Sequence, residues 1–163
     1  MVIEFRKALI PDDLPALCDF DRRIFHDYPG DLFSPEVWSE VESWWMIVDG
    51  ETVGCTAFLN HVDYNGRRKH GTLYIMTTGV LPEYRNRGYG RAQKEWQIEH
   101  ARKEGFTTIV TNSRQGNTRM IELNRALGFE IRRIEPHYYH DPDEAAVMMR
   151  LRLSAHAKAK SKP

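Results

Sequence analysis

Between residues 80 and 95 the sequence reads VLPEYRNRGYGRAQKE, in which Arg85, Arg87 and Arg91 crowd Gly88 and Gly90 and no acidic residue occurs from 85 to 94. Side chains of this type and spacing suit an anion. An apolar run ends at Leu81, and the residues after Gly88 favour helix, so the glycines fall at a helix start. There the first four backbone N–H groups lack helical partners and carry partial positive charge. Glycine removes the side chain that would keep a ligand away from them. Phosphate is the ligand such a turn holds best. The dinucleotide pattern GxGxxG needs a third small residue at 93, where Gln93 stands, and GxxxxGK[ST] does not occur. The pattern that fits is Arg/Gln-x-x-Gly-x-Gly/Ala, spelled by Arg85, Asn86, Arg87, Gly88, Tyr89 and Gly90. Taken alone, the hexapeptide also fits an ordinary helix start with solvated arginines.

The elements that must position these residues can be read along the chain. Residues 2–8 predict a strand and 12–25 a helix, with Leu14, Leu17, Ile24 and Phe25 at helical spacing. Ser34 caps a short helix with Pro35 in its first position. WWMIV, DG and ETVGCTAFLNHVDY read as strand, tight turn, strand, and Asn65-Gly66 predicts a type I′ hairpin into the long strand RKHGTLYIMTTGVL. The helix after Gly88 has a ragged stripe, because Gln93 and Gln97 dilute Ala92, Trp96 and Ala101, and Gly105 stops it. FTTIVTN is a strand, Asn117 caps the helix TRMIELNRAL, and Gly128 ends it. FEIRRI and AAVMMRLRL are the last strands, the latter alternating. The order β α α β β β α β α β β predicts one mixed sheet with helices on both faces.

A chain of 163 residues, 41% hydrophobic, makes one domain with a sizeable core. Its 23 basic residues balance 23 acidic ones, so nucleic acid and anionic membrane are not expected partners and an anion site must be local. Cys18 and Cys55 read as buried free thiols, and no Cys/His cluster suggests a metal. Charges at Glu4, Arg6 and Lys7 are unlike a signal peptide, and no apolar run approaches the ~20 residues of a membrane span. A soluble cytoplasmic protein, monomer or homodimer, is expected. Trp44 and Trp45 suit either an interface or the core. The domain is placed at 1–153, and the basic tail 154–163 is expected to be disordered.

TTGVLPEYRNRGYGRA resembles the coenzyme A-binding signature of the GNAT superfamily, the GCN5-related N-acetyltransferases. NTRMIELNRALGFE resembles the second cofactor-contacting helix of that family, with its Leu-Gly-Phe exit. The resemblance implies a mixed, mostly antiparallel sheet of about seven strands flanked by about four helices, with strands splayed at the cofactor cleft. It implies acetyl-CoA as cosubstrate, its pyrophosphate on the N–H groups of Arg87 to Arg91 with the three arginines offsetting charge. The pantetheine arm would pair with the backbone of Thr78, Gly79 and Val80, and Asn117 and Asn124 would contact the cofactor. The Val80 N–H would stabilise the oxyanion of direct acetyl transfer, so neither cysteine need act as a nucleophile.

Two positions depart from the family pattern. Where many members carry a tyrosine in the second helix stands Asn124, and where N-terminal acetyltransferases carry a glutamate on the preceding strand stands Asn112. The usual general acid and base are thus missing. PHYYHDPDEAAVMM resembles the loop that lines the peptide slot of N-terminal acetyltransferases, which gives Tyr138 and Tyr139 an acceptor-side role and makes Tyr139 the candidate to orient the amine. Packing aromatics at a strand end would look the same, and alternation along an extended segment turns only one ring inward. Asp27 and Asp31 fall on the substrate-side loop, as partners for an amine cation or as turn formers. The expected function is acetylation of a small-molecule primary amine. The alternatives are a peptide or protein N-terminus as acceptor, and a coenzyme A-binding module without turnover.

Overall fold

The computed structural model describes residues 1–153; the tail 154–163 lies outside the described residues. The elements follow the order expected: β1 Ile3–Lys7, α1 Leu14–Ile24, α2 Pro35–Glu40, β2 Glu42–Val48, β3 Glu51–Val62, β4 Arg68–Val80, α3 Tyr89–Lys103, β5 Thr108–Arg114, α4 Thr118–Ala126, β6 Glu130–Tyr139 and β7 Glu144–Arg152. Seven strands form one sheet in the order β1-β2-β3-β4-β5-β7-β6. Every neighbouring pair is antiparallel except β4 and β5.

Local chemistry accounts for the boundaries. The Ser34 hydroxyl accepts from the Val37 N–H, and the Asn117 side chain accepts from the Met120 N–H, each satisfying a donor that the helix leaves unpaired. Asp49 and Gly50 both have positive φ, 49° and 84°, as a two-residue type I′ turn requires. The Asn65-Gly66 turn differs from the expectation. Gly66 is left-handed and Asn65 is not. Asn65 Oδ1 accepts from Arg67 N, and Gly66 N donates to the Asp63 carbonyl, so the turn is longer and only its glycine needs positive φ.

The sheet carries a core on each face. α3 and α4 cover Phe58, Leu73, Ile75, Ile109, Val147 and Met149. α1 and α2 cover Trp45, Cys55, Ala57 and Leu81. Adjacent residues of a strand point to opposite faces, so Trp44 packs under α3 and Trp45 under α1; both serve the core. Both cysteines are free.

The inner face of α3 corrects the sequence expectation. Gln93, Lys94 and Gln97 are buried beside Ile98 and Ala101. The two glutamines, one turn apart, do not dilute an apolar stripe; they form a polar one. Gln97 Nε2 donates to Thr56 Oγ1 at 2.9 Å and to Thr78 Oγ1 at 2.6 Å, while Thr56 Oγ1 donates to the Thr77 carbonyl at 2.9 Å. This network grips β4 where its register slips against β3, with Ala57 opposite Thr77 but Phe58 opposite Ile75.

Candidate functional site

β4 and β5 pair over only four positions, from Thr72 opposite Thr108 to Ile75 opposite Thr111. Beyond Ile75, β4 remains paired with β3 as far as Gly54 opposite Val80, while β5 remains paired with β7. The sheet therefore opens between its two central strands. The Leu81 N–H bonds to the Val53 carbonyl. Alternation along an extended strand then turns the polar groups of Val80 to the opposite edge, into the gap. There Arg85 Nε donates to the Val80 carbonyl at 3.0 Å, and the Val80 N–H is left facing the opening. Gly79 lies beside it, and a Cβ there would come within 2.6 Å of Ile24 of α1.

At the end of the gap sits the glycine turn. Gly88 caps α3 with φ of 83°, a left-handed conformation that suits glycine. A Cβ on Gly88 or Gly90 would meet nothing within 4 Å, so the first turn of α3 lies open above both. The arginines divide. Arg85 is turned back onto β4, its second contact being the Ile24 carbonyl at 3.4 Å. Arg87 stacks on Tyr84 with 5.5 Å to the ring centre, and Arg91 lies 3.3 Å from Glu95 on the next turn. Tyr89 packs its ring towards Met46, Val48 and Val53 and offers the opening only its backbone. A fourth arginine joins from α4: Arg119 donates to Asn86 Oδ1, tying the start of α4 to the glycine turn.

On the inner face of α4, Asn124 is fully buried. Its Nδ2 lies 3.8 Å from Met149 Sδ, and its Oδ1 has no hydrogen-bond partner among the described residues. Asn117 spends its side chain on the helix cap. Lys94, unnoticed in the sequence, is buried with its ammonium 5.9 Å from the centre of the Phe129 ring, and burial lowers its pKa to about 8.

At the point of divergence, three polar side chains meet. Tyr74 of β4 donates its hydroxyl to Asn112 Oδ1 at 2.7 Å, and Asn112 Nδ2 donates to the Tyr139 oxygen at 2.6 Å. Burial holds both phenols above the usual tyrosine pKa, so both stay protonated. Tyr139 is the last residue of β6, paired opposite Glu144. Its neighbour Tyr138 is exposed, the two rings meeting edge to face at 5.0 Å. The two do not alternate cleanly: His137 has a positive φ of 53°, and Tyr138, although the more exposed, also lies against Tyr74.

Arg114, at the end of β5, was also missed. It lies between the rings of Tyr28 and Tyr139, at 4.7 and 4.6 Å from their centres. Nε and Nη2 hold Asp31 in a bidentate pair at 3.0 and 2.8 Å. Asp31 is thus engaged by an internal cation, and Asp27 is exposed beside His26. No spacing rule links residues 83 positions apart, although a lone arginine on an otherwise neutral strand is a visible anomaly.

The comparisons with known proteins follow the same outline. Residues 12–129 match the model of the acetyltransferase (GNAT) family. The probable N-acetyltransferase san of Drosophila melanogaster is 36% identical over 81 residues, 48% of this chain and 44% of that protein. The chain spans about half the length of the curated relatives it matches. The ribosomal-protein-S18-alanine N-acetyltransferase of Escherichia coli superposes with a TM-score of 0.76 at 23% identity, over 94% of this chain and 95% of that one. The yncA protein of Salmonella typhimurium, a putative acetyltransferase solved with its cofactor acetyl-CoA, gives a TM-score of 0.72 at 20% identity, over 96% of this chain and 97% of that one.

Proposed function

Because the chain belongs to the GNAT family of acetyltransferases, we propose that it moves an acetyl group from acetyl-CoA to a primary amine. The observation that carries this is the opening between β4 and β5, which has the Val80 N–H along one edge and the bare first turn of α3 at its end. The residues present fit the cosubstrate. The open turn at Gly88 and Gly90 suits a pyrophosphate, with Arg87, Arg91 and Arg119 as nearby cations. The free edge of Thr78 to Val80 suits a pantetheine amide. Asn124 supplies a buried acceptor with no protein partner, and Asn117 and Asn86 stand at the mouth. When bound, acetyl-CoA supplies the thioester, whose C–S bond breaks as the amine nitrogen forms the new C–N bond, the electron pair leaving on sulfur and the nitrogen's proton ending on the thiol. The Val80 N–H, facing the gap, would donate to the carbonyl oxygen as it gains charge, a preorganised donor of the kind that matters most in acyl transfer. Tyr139, held by Asn112 and Arg114, orients the amine.

A small-molecule amine is the first acceptor class. A peptide N-terminus is the second, favoured by the inward Tyr139 on a β6 that ends in Tyr-Tyr and by the E. coli relative, whose name gives a ribosomal-protein alanine as its target. Radiolabelled acetyl-CoA with a mixed panel of amines and peptides separates them. Product with amines or peptides assigns the class. A melting shift with acetyl-CoA but no product from any acceptor would leave a coenzyme A-binding module instead.

A further inference from the structure

Lys94 is the charged residue among those buried on α3, and it is 2% exposed. Burial alone acts on its charge, with no carboxylate and no hydrogen bond to oppose it. A buried cation left without an anion is costly to the fold. The face of the Phe129 ring, 5.9 Å away, offsets part of that cost. An ammonium held in this way is suited to an anion that arrives with a ligand.

The neighbours of Lys94 on α3 fix where it points. Gln97 Nε2 holds Thr78 Oγ1 at 2.6 Å. A Cβ on Gly54, the residue opposite Val80, would come within 3.1 Å of Gln93 Nε2. Gln93 and Gln97 therefore run along β4 from the level of Val80 to that of Thr78. Lys94 lies about 100° round the helix from Gln93 and about 60° from Gln97. Its side chain reaches Phe129, whose N–H bonds to the Asn124 carbonyl at 2.9 Å. Lys94 thus looks from α3 toward α4, over the opening between β4 and β5, at the depth where the Val80 N–H faces the gap. Asn124 approaches from the α4 side with an unpartnered Oδ1, but an amide is no acid at neutral pH.

We propose that Lys94 meets the departing sulfur, its ammonium lying beside the C–S bond that breaks and giving the thiolate its proton. This rests on the acetyl transfer proposed above. As the acceptor nitrogen bonds to the carbonyl carbon, the C–S bond breaks with its electron pair on sulfur. One proton of the ammonium moves to that sulfur and leaves a thiol and a neutral lysine. The proton released by the acceptor nitrogen passes to water, and Lys94 takes one from water before the next turnover. Within an apolar enclosure an adjacent cation stabilises a forming thiolate more than water-screened charge could.

The other charged and titratable groups of the surrounding elements are engaged or turned outward. Arg91 and Glu95 of α3 pair with each other at 3.3 Å, and His100 lies 3.8 Å from Glu42. Arg119 of α4 holds Asn86, while Glu122 and Arg125 are exposed. Tyr74 of β4 donates to Asn112, Arg114 of β5 holds Asp31, and Arg150 of β7 holds Glu130 of β6.

The test compares coenzyme A with desulfo-coenzyme A, which differ only in the sulfur. Calorimetry on the parent at pH 8 should show coenzyme A binding about tenfold tighter, the worth of a hydrogen bond to a charged group. The ultraviolet absorbance of the bound thiolate should appear below the ordinary thiol pKa of about 8.5. Lys94→Met keeps the apolar stem and removes the charge, so it should melt no lower than the parent, and both signals should vanish. Equal binding of the two ligands by the parent, or an undiminished preference in Lys94→Met, overturns the contact with sulfur. These measurements need no acceptor, so they decide on Lys94 even if no amine is acetylated and the acetyl-transfer reading fails. With an acceptor, kcat of the parent should fall as pH rises through about 8, where Lys94 loses its proton beside an uncharged thioester. Lys94→Met should lower kcat about a hundredfold and lose that descending limb, with acetyl-CoA affinity little changed. A variant that keeps both the parent's kcat and the limb overturns the proton transfer.

Discussion

Tyr139 is held at its oxygen by Asn112 and across its face by Arg114, so its hydroxyl is placed before an acceptor arrives. Tyr139→Phe keeps the ring on Arg114 and removes only that oxygen. The acceptor KM should rise several-fold while kcat falls less, the pattern of lost uniform binding. Tyr138→Phe should do little, because that ring is exposed. Equal falls in kcat for both variants at unchanged KM would return the pair to simple packing. Asp21 of α1 supports a different measurement. Its carboxylate is buried beside Leu17, Phe20, Trp38 and Cys55, and burial raises its pKa to about 6 although the Phe33 N–H bonds it at 2.8 Å. An acid whose folded pKa lies above its unfolded 3.8 favours the folded state below pH 4, and that contribution is lost as pH rises through 6. Asp21→Asn keeps the acceptor for Phe33 and removes the buried charge. It should be more stable than the parent at pH 8 by something on the order of 3 kcal/mol, with the difference closing below about pH 4. Urea midpoints at pH 4, 6 and 8 check this; a gap that does not change with pH would mean that Asp21 has the same pKa folded and unfolded.

At the scale of elements, the start of α3 is where we propose that the pyrophosphate rests. Gly88 needs its positive φ, so a side chain there strains the turn whatever a ligand does. Gly90 has no such need, and its missing Cβ faces open space. Gly90→Val should therefore leave the apo protein folded, at a helix-propensity effect below about 1 kcal/mol, and abolish the acetyl-CoA melting shift. An equal shift in variant and parent would move the pyrophosphate away from this turn. This element was legible in the sequence because its signal is local: an apolar run, a glycine turn and a helix that share neighbouring residues. The cap at Asn117 and the exit at Gly128 were legible for the same reason. Gln93 and Gln97 were misread because helix periodicity marks a buried face by apolar residues, and here that face carries two buried amides, of which Gln97 serves Thr56 and Thr78 across the sheet and Gln93 has no partner among the described residues. Tyr74, Arg114 and Lys94 were invisible because each takes its meaning from residues distant in sequence, Tyr74 from Asn112 of β5, Arg114 from Asp31 and Lys94 from Phe129, which no spacing encodes. The Asn65-Gly66 turn shows a smaller gap, in that a dipeptide permits a turn type without fixing it.

Across the whole molecule, the sheet consists of two parts, β1 to β4 and β5-β7-β6, joined by four parallel register pairs, by α3 packed across both, and by the Arg114–Asp31 pair at the far end of β5. Arg114 and the short parallel ladder hold the two parts together, whereas at the Val80 end of the gap no strand among the described residues closes it. A ligand that pairs with the edge of β4 and caps α3 therefore acts as the missing strand, and its binding energy adds to the stability of the native state alone. Acetyl-CoA at a hundred times its Kd should stabilise the protein by about 2.7 kcal/mol, which for a chain of this size raises Tm by about 5–10 °C. The location of the effect is the sharper test. Amide hydrogen exchange should slow most over Met76 to Val80 and at the first turn of α3, where backbone donors gain partners, and change least in β1 and β2, whose ladder is already complete. Protection that appears in β1 and β2 but not at Val80 would show that the ligand binds elsewhere and that the opening between β4 and β5 is not its seat.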